Sequence, residues 1–330
     1  MAITNAPGGN AVVVYRRAAD GSLQADGVYP SGGAGTGASL NSQGAVVVSD
    51  DRQFVLAVNA GSHSISSFRI RHDGLELIDT ASSNGVMPTS IAVRDRLVFV
   101  LNAGVPNNIS AFHLQGQGRL EPIQEFTRPL SAAFTSPAQV AFSDDGGSVL
   151  VTERATNMIS VFTIDRAGIE GPFLTPSAGP TPYGFAIGPR NTVFVSEAGA
   201  GGGASTYRLR RDGELDAVSS NVMTGQRAAC WAVLTPDGRF GYVTNAGTGN
   251  ISGFAIGRDG SAELLDADGV TAVTGGNPTD MAMSEDGRYL YARVGATATI
   301  AVFRIARDGR LVALPSLAGT PAGLAGLAGF

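Results

Sequence analysis

The sequence predicts an all-β protein, a seven-bladed β-propeller with four antiparallel strands in each blade. Three observations predict this fold: a repeat of about 48 residues, a hydrophobic alternation of period two inside each repeat, and few helix signals. Repeats of about 40 to 50 residues are typical of propeller blades.

The repeat is marked by one aromatic residue in an Ile-Ser-x-Phe-like strand. This aromatic recurs at spacings of 44 to 53 residues, at Tyr15, Phe68, Phe112, Phe162, Tyr207, Phe254 and Phe303. Seven such positions predict seven repeats, and therefore seven blades.

Each repeat contains four strand signals. The innermost strand starts near a proline, as in "PTSIAVR", "PAQVAFS", "PYGFAIG" and "PTDMAMS", and the second ends at an Asn-Ala-Gly-like turn, as in "VFVLNAG". The Ile-Ser-x-Phe strand comes third, and an outer strand follows an Asp-Gly turn. Alternating apolar residues between Gly, Asn and Asp turns are typical of antiparallel strands.

The two ends of the chain predict how the ring closes. The opening "AITNAPGGNAVVVYRR" lacks an inner strand, whereas the tail "TPAGLAGLAGF" has the inner-strand signature. We therefore expect the C-terminal inner strand to join the N-terminal blade, so that residues 1–330 form a single propeller domain. Such closure leaves no open sheet edge.

Composition excludes several classes of function. The net charge is −5 without a basic stripe, which argues against nucleic-acid binding. All 23 basic residues are arginines, which excludes a lysine Schiff base. Cys230 is the only cysteine, and three scattered histidines do not suit a zinc site. We expect no cofactor, although channel Asn and acidic oxygens leave a calcium ion as an alternative.

The sequence also limits location and partners. No apolar run approaches the roughly 18 residues of a membrane span, so membrane insertion is not expected. The opening "MAITNAPGGN" has no signal-peptide pattern. A secreted or periplasmic protein that has lost its signal peptide would look the same, so the location is left open. We expect a monomer whose partner is a small molecule.

Candidate binding residues follow from blade geometry. The starts of the inner strands and the turns between second and third strands lie at the same end of a propeller channel. Inner-strand starts therefore bring one group of predicted substrate-binding residues to a shared mouth: Gln43, Gln139, Tyr183, Trp231 and Asp280. Arg128, in the "TRPLS" segment before the fourth blade, is predicted to overhang this mouth.

The turns supply the predicted catalytic residues. Asn59, Asn102 and Asn245 recur at the second-strand turn, but the fourth and fifth blades carry Glu153 and Glu197 there. Two neighbouring carboxylates can act as general acid and base, because like charges raise one pKa. Arg154 and Arg293 would stabilise an anion beside them.

Each of these residues also has a purely structural explanation. Asn and Glu side chains can cap turns or lie exposed to solvent on them. Trp231 and Tyr183 can be wedges packed between inner strands, and Asp280 can cap a backbone segment. The sequence alone leaves both explanations open.

Four segments resemble the lactonase family of seven-bladed propellers, which includes propeller-type phosphogluconolactonase and carboxymuconate-lactonising enzyme. They are "CWAVLTPDGRFGYVTNAG", "PAQVAFSDDGGSVLVTERATN", "SAGPTPYGFAIG" and "GGNPTDMAMSEDGRYLY". The resemblance implies channel residues consisting of an inner-strand His, a Glu after the second-strand Asn, and arginines. In this chain no inner strand starts with His, Glu153 occupies the Asn position, and Arg154 occupies the Glu position.

The leading functional hypothesis is therefore a lactonase-type enzyme that acts on a small lactone or ester ring at the channel mouth. One alternative is a non-catalytic propeller that binds a ligand or another protein, since a fold does not determine a function. Another alternative is isomerase or cyclase chemistry by the same carboxylates.

Overall fold

The computed structural model describes residues 1–329 and confirms the predicted ring of seven antiparallel blades. Blade 1 contains β1 (Ala2–Ile3), β2 (Ala11–Arg17) and β3 (Leu23–Pro30). Blade 2 contains β4 (Val46–Val48), β5 (Phe54–Asn59), β6 (Ser64–Arg71) and β7 (Gly74–Ser82). Blade 3 contains β8 (Pro88–Arg94), β9 (Leu97–Asn102), β10 (Asn108–Leu114) and β11 (Leu120–Pro129).

The second half of the chain repeats this arrangement four times. Blade 4 contains β12 (Pro137–Phe142), β13 (Ser148–Glu153), β14 (Met158–Asp165) and β15 (Gly168–Pro176). Blade 5 contains β16 (Pro182–Gly188), β17 (Thr192–Glu197), β18 (Gly203–Leu209) and β19 (Leu215–Met223). Blade 6 contains β20 (Ala229–Leu234), β21 (Phe240–Asn245), β22 (Asn250–Ile256), β23 (Ala262–Leu264) and β24 (Ala272–Val273). Blade 7 contains β25 (Pro278–Met283), β26 (Tyr289–Val294), β27 (Thr299–Ile305) and β28 (Leu311–Ala318).

Strands follow one another from the channel to the rim in every blade. Blade 6 differs because two short strands, β23 and β24, both pair with β22 and together take the place of one outer strand. Helical structure among residues 1–329 is limited to two 3-10 turns, Pro189–Asn191 and Gly295–Thr297. No helix in this part of the chain is long and apolar enough to cross a membrane.

The chain closes the ring in the predicted way. Ile3 and Ala325 exchange two backbone hydrogen bonds, of 2.9 and 2.8 Å. The Met1 amino group and the Ala328 carbonyl extend this pairing with a bond of 2.7 Å. The C-terminal segment therefore supplies the innermost strand of blade 1, next to β1.

The core lies between adjacent blades. The third-strand aromatics Phe68, Phe112, Phe162, Tyr207, Phe254 and Phe303 are all at most 2% exposed. Each cluster of buried side chains draws on two or three neighbouring blades; for example, Phe99 of blade 3 packs with Val149 and Phe162 of blade 4. Because each blade covers the next, the apolar faces are buried only in a closed ring.

The Ala325→Pro substitution tests the closure. Proline removes the backbone N–H that bonds Ile3, and we expect a loss of about 3 kcal/mol in the free energy of unfolding. Chemical denaturation measures this change. Ala322→Pro, at an exposed position three residues earlier, is the control. Equal stability of the two variants would contradict the closure described above.

Candidate functional site at the channel mouth

Strand pairing places the predicted site residues at one end of the channel. Pro137 pairs with Glu153, Pro182 with Glu197, and Pro278 with Val294. The start of each inner strand thus lies beside the end of the second strand, as expected. Which side chains reach the mouth depends on the face of the strand that each residue occupies.

A cavity of about 460 Å³ opens at this end. We call it the mouth cavity. Its walls are residues 37–42 of the loop before blade 2, residues 322–326 of the closing strand, and a set of side chains from blades 5, 6 and 7. That set comprises Tyr183, Cys230, Trp231, Thr279, Asp280 and Arg293.

Gln43 bridges two blades beside the mouth cavity, next to the lining residue Ser42. The backbone N–H of Gln43 donates to the Ala138 carbonyl of blade 4 at 3.0 Å. Its carboxamide reaches blade 6, where it donates to the Ala232 carbonyl at 2.7 Å and accepts from the Ala232 N–H at 3.0 Å. Gly184 makes room for it, because a Cβ there would lie 2.2 Å from Gln43 Oε1. Gln43 therefore spans the channel between non-adjacent blades.

Gln139 binds the neighbouring blade in the same way. Its carboxamide donates to the Phe185 carbonyl at 2.9 Å and accepts from the Phe185 N–H at 2.7 Å. The structure thus uses both predicted substrate-binding glutamines, Gln43 and Gln139, to tie inner strands together. Neither lines the mouth cavity.

Aromatic side chains form one wall of the mouth cavity. The ring centres of Tyr183 and Trp231 lie 5.1 Å apart, and the Trp231 indole N–H donates to the Ser42 carbonyl at 2.8 Å. The guanidinium carbon of Arg154 lies 5.0 Å from the centre of the Tyr183 ring, a cation–π contact. Arg154 is further held by the Ser136 carbonyl at 2.9 Å.

Arg154 is an exception among equivalent residues. The residue after the second strand is Ala103 in blade 3, Ala198 in blade 5, Ala246 in blade 6 and Gly295 in blade 7. Small side chains at these positions leave the channel mouth open. Blade 4 alone among these places a long cation there.

Asp280 is the acidic group of the mouth cavity. It is 1% exposed, its Oδ1 accepts from the Met281 N–H at 2.7 Å, and its Oδ2 has no hydrogen-bond partner. Burial raises the pKa of Asp280 to about 8, against the opposing effects of the Met281 N–H, the positive charge of Arg293 and the more distant backbone N–H groups of Leu327 and Gly326. An unsatisfied buried carboxylate oxygen is costly, and it can hydrogen-bond a ligand.

Arg293 lies across the strand pair from Asp280, since the two residues are register partners. Its guanidinium donates to the Thr279 hydroxyl and, at 2.8 Å, to the Ala322 carbonyl. Burial lowers the pKa of Arg293, and the charge of Asp280 opposes this effect. Arg293 is one residue before the second-strand end, where Val294 lies, and so faces the opposite way from the Glu153 position.

The expectation that Glu153 faces the mouth is wrong. Its side chain is fully buried inside blade 4. Its Oε1 accepts from the Ser131 N–H at 3.1 Å and the Ser160 hydroxyl at 2.5 Å, and its Oε2 accepts from the Thr156 hydroxyl at 2.7 Å and the Ser131 hydroxyl. Glu153 thereby anchors the loop before blade 4.

Glu197 is likewise 1% exposed inside blade 5, so the expected carboxylate pair does not form at the mouth. Its Oε1 accepts from the Ser177 hydroxyl at 2.9 Å and the Gly179 N–H at 3.2 Å. Burial raises the pKa of Glu197 to about 7, offset in part by hydrogen bonds from Ser205, Ser177 and Gly179.

The recurring asparagines have the same inward position. Asn59, Asn102 and Asn245 are fully buried, and each donates to a serine hydroxyl on the third strand. The second-strand end is therefore a structural position in blades 2 to 6. Its side chain points into the blade, not toward solvent at a turn.

The expectation for Arg128 is also wrong. Arg128 lies in the outer strand β11, where it pairs with Ile109, and its guanidinium donates to the Ile169 carbonyl of blade 4 at 2.8 Å. It ties two outer strands together at the rim and does not overhang the mouth.

Sequence reasoning missed two walls of the mouth cavity. Residues 37–42 belong to the glycine-rich segment "SGGAGTGASLNSQG", which Asn5 holds through its bonds to the Ala38 carbonyl, at 2.7 Å, and the Thr36 N–H, at 2.9 Å. Residues 322–326 read only as a closing strand. Within residues 1–329, no cluster of three or more His, Cys, Asp or Glu side chains is placed to hold a metal ion.

Comparison with known proteins shows similarity along almost the whole chain. The family model described as "Lactonase, 7-bladed beta-propeller" matches residues 9–129, 104–232 and 204–323. None of the curated proteins compared with the chain matches it.

Three solved structures illustrate the likeness in fold. A candidate 6-phosphogluconolactonase from Bacteroides fragilis is 19% identical, with 94% of this chain and 91% of that chain covered and a TM-score of 0.77. The periplasmic gluconolactonase PpgL from Pseudomonas aeruginosa is 18% identical, with 95% and 94% covered and a TM-score of 0.76. A candidate 6-phosphogluconolactonase from Bacteroides uniformis is 21% identical, with 95% and 94% covered and a TM-score of 0.72.

The raised pKa of Glu197 predicts a pH-dependent stability. Between about pH 4.5 and about pH 7 the folded state holds a proton that the unfolded state has lost, so stability falls as pH rises through this range. The full contribution is about 3 kcal/mol. Glu197→Gln is expected to remove this part of the pH dependence, as measured by denaturation at pH 5 and pH 8.

Glu170→Gln, at an exposed position on β15, is the control and is expected to behave like the parent protein. If Glu197→Gln lost as much stability between the two pH values as the parent protein, Glu197 would not be the titrating group.

Proposed function

Because the chain belongs to the lactonase family of seven-bladed β-propellers, we propose that it hydrolyses the ring ester of a small lactone in the mouth cavity. The observation that carries this proposal is the unpartnered Oδ2 of Asp280 in a cavity that Arg293 also lines. A buried base and a cation at one opening are what ester hydrolysis requires.

Asp280 is the proposed general base. Its carboxylate accepts a proton from water, and the resulting hydroxide attacks the lactone carbonyl carbon. When the tetrahedral intermediate collapses, the ring C–O bond breaks and the leaving alkoxide takes the proton back from Asp280. The product is a hydroxy acid. Glu153 and Glu197 do not act as the base in this proposal, because their carboxylates are enclosed by their own blades.

Arg293 is the proposed partner of the developing oxyanion. Arginine has five N–H donors, and two of its terminal nitrogens already bond Thr279 and Ala322, which holds the guanidinium in place. A fixed cation stabilises the oxyanion without rearranging during the reaction. Arg154 has a positioning role, because it stacks on the Tyr183 ring that forms the cavity wall.

The Asp280→Asn substitution is expected to lower kcat/KM for lactone hydrolysis about a hundredfold or more, because asparagine cannot accept the proton. In the parent protein, log kcat/KM is expected to rise with pH and level off above about pH 8, where the Asp280 carboxylate is ionised. Hydrolysis of a panel of γ- and δ-lactones, followed by acid release, measures both effects.

Two further variants provide controls for this prediction. Glu153→Gln and Asp259→Asn alter carboxylates outside the mouth cavity and should leave the pH profile unchanged. Saturable lactone binding without turnover in the parent protein would favour the alternative of a binding propeller. Full activity of Asp280→Asn would contradict the proposed base.

The Arg154→Ala substitution restores the alanine that blades 3, 5 and 6 carry at this position. We expect the free energy of unfolding to change by less than about 1 kcal/mol. The KM for a lactone should rise, because the Tyr183 ring loses the cation that holds it. An unchanged KM would contradict the positioning role.

A further inference from the structure

A shallow open groove adjoins the mouth cavity between blades 6 and 7. This groove runs between the β21–β22 turn, residues 246–249, and residues 273–277, with Ala296 at its end. It is open to solvent and shares Ala246 and Asn277 with the mouth cavity. A molecule that protrudes from the mouth cavity past Ala246 and Asn277 therefore meets the groove.

Small, uncharged residues line the groove. Four of its nine lining residues are glycines and two are alanines, and the others are Thr248, Val273 and Asn277. Gly275 has nothing within 4 Å of the place where a Cβ would stand, so it borders open space. The mouth cavity is different, because it contains Asp280 and Arg293.

Val273 provides the apolar surface of the groove. It is 69% exposed, the largest fraction among the exposed large hydrophobic residues. It belongs to β24, the short strand that only blade 6 has, and its backbone is paired with Asn250. The divided outer strand of blade 6 thus presents an isolated valine at the mouth end of the blade.

We propose that this groove is a second substrate subsite, which receives an uncharged alkyl substituent of the lactone whose ring lies in the mouth cavity. The inference rests on the proposed function, because that function places the lactone ring in the mouth cavity. Independent support for a ligand at this end comes from the buried, unpartnered Oδ2 of Asp280 in the adjoining cavity. The substrate class is an alkyl-substituted lactone, because the groove offers apolar contact and no charge.

Binding and turnover of three δ-lactones test this subsite: δ-valerolactone with no substituent, δ-decalactone with a pentyl chain, and a δ-lactone with a carboxylate on a chain of similar length. Trp231 is the only tryptophan and lines the mouth cavity, so its fluorescence reports binding without turnover. A fully buried methylene improves affinity about fourfold. We expect δ-decalactone to bind about tenfold or more tightly than δ-valerolactone, because its chain is partly covered, and the charged lactone to gain nothing.

The Val273→Asp variant places a charge in the groove and should remove most of the preference for δ-decalactone, while δ-valerolactone binding stays unchanged. Ala296→Asp, at the end of the groove on blade 7, is a second variant with the same expected result. Val28→Asp is the matched control, since Val28 is 61% exposed on the outer strand of blade 1. Thermal unfolding of each variant shows whether it is folded.

The outcomes separate this subsite from the proposed function. Equal affinity of the parent protein for the two neutral lactones, or an unchanged preference in both groove variants, would overturn the subsite even if lactones are hydrolysed. A preference for δ-decalactone that both groove variants lose would support the subsite even if no lactone is hydrolysed, and the proposed hydrolysis would then be wrong.

Discussion

Ring closure is the constraint on which the rest of this structure depends. Each blade has two apolar faces, and the third-strand aromatics are buried only because a neighbouring blade covers them. The backbone pair between Ile3 and Ala325 holds the segment that follows blade 7 in place as the innermost strand of blade 1. The same closing segment, residues 322–326, forms a wall of the mouth cavity, so the site and the closure are built from one piece of chain.

The sequence was sufficient to predict the blades, their number, their closure and the end of the channel where side chains meet. These features depend on spacing, alternation and turn residues, which a single sequence contains. It was not sufficient to predict which side chains reach the mouth. Side-chain direction in a strand reverses at each residue, so Glu153 enters its blade while Arg154, the next residue, lies over Tyr183.

The same limit explains Arg128 and Arg293. The "TRPLS" segment looks like a loop, but β11 extends to Pro129 and places Arg128 in an outer strand. Arg293 is predicted to lie beside the two glutamates. The second strand of blade 7 ends at Val294, so Arg293 is one residue before the position that corresponds to them. The loop at residues 37–42 could not be placed, because its position depends on Asn5, a distant residue whose bonds are visible only in the folded ring.

Burial raises the pKa of both Glu197 and Asp280, but the two carboxylates have different roles. Glu197 is surrounded by Ser177, Gly179 and Ser205 of its own blade, so its protonation affects stability. Asp280 has equally little exposure, but its environment includes an open cavity. Two carboxyl groups that are equally buried can therefore differ in their access to a ligand, because one is surrounded by protein atoms and the other borders a cavity.

Gln43 has a kinetic consequence. By bridging blades 4 and 6 it crosses the channel beside the mouth cavity. A hydroxy acid formed by the proposed hydrolysis would leave through the same opening by which its precursor arrived, so product and incoming substrate would compete for that opening. Such an enzyme would slow as product accumulates, with an inhibition pattern competitive toward the substrate.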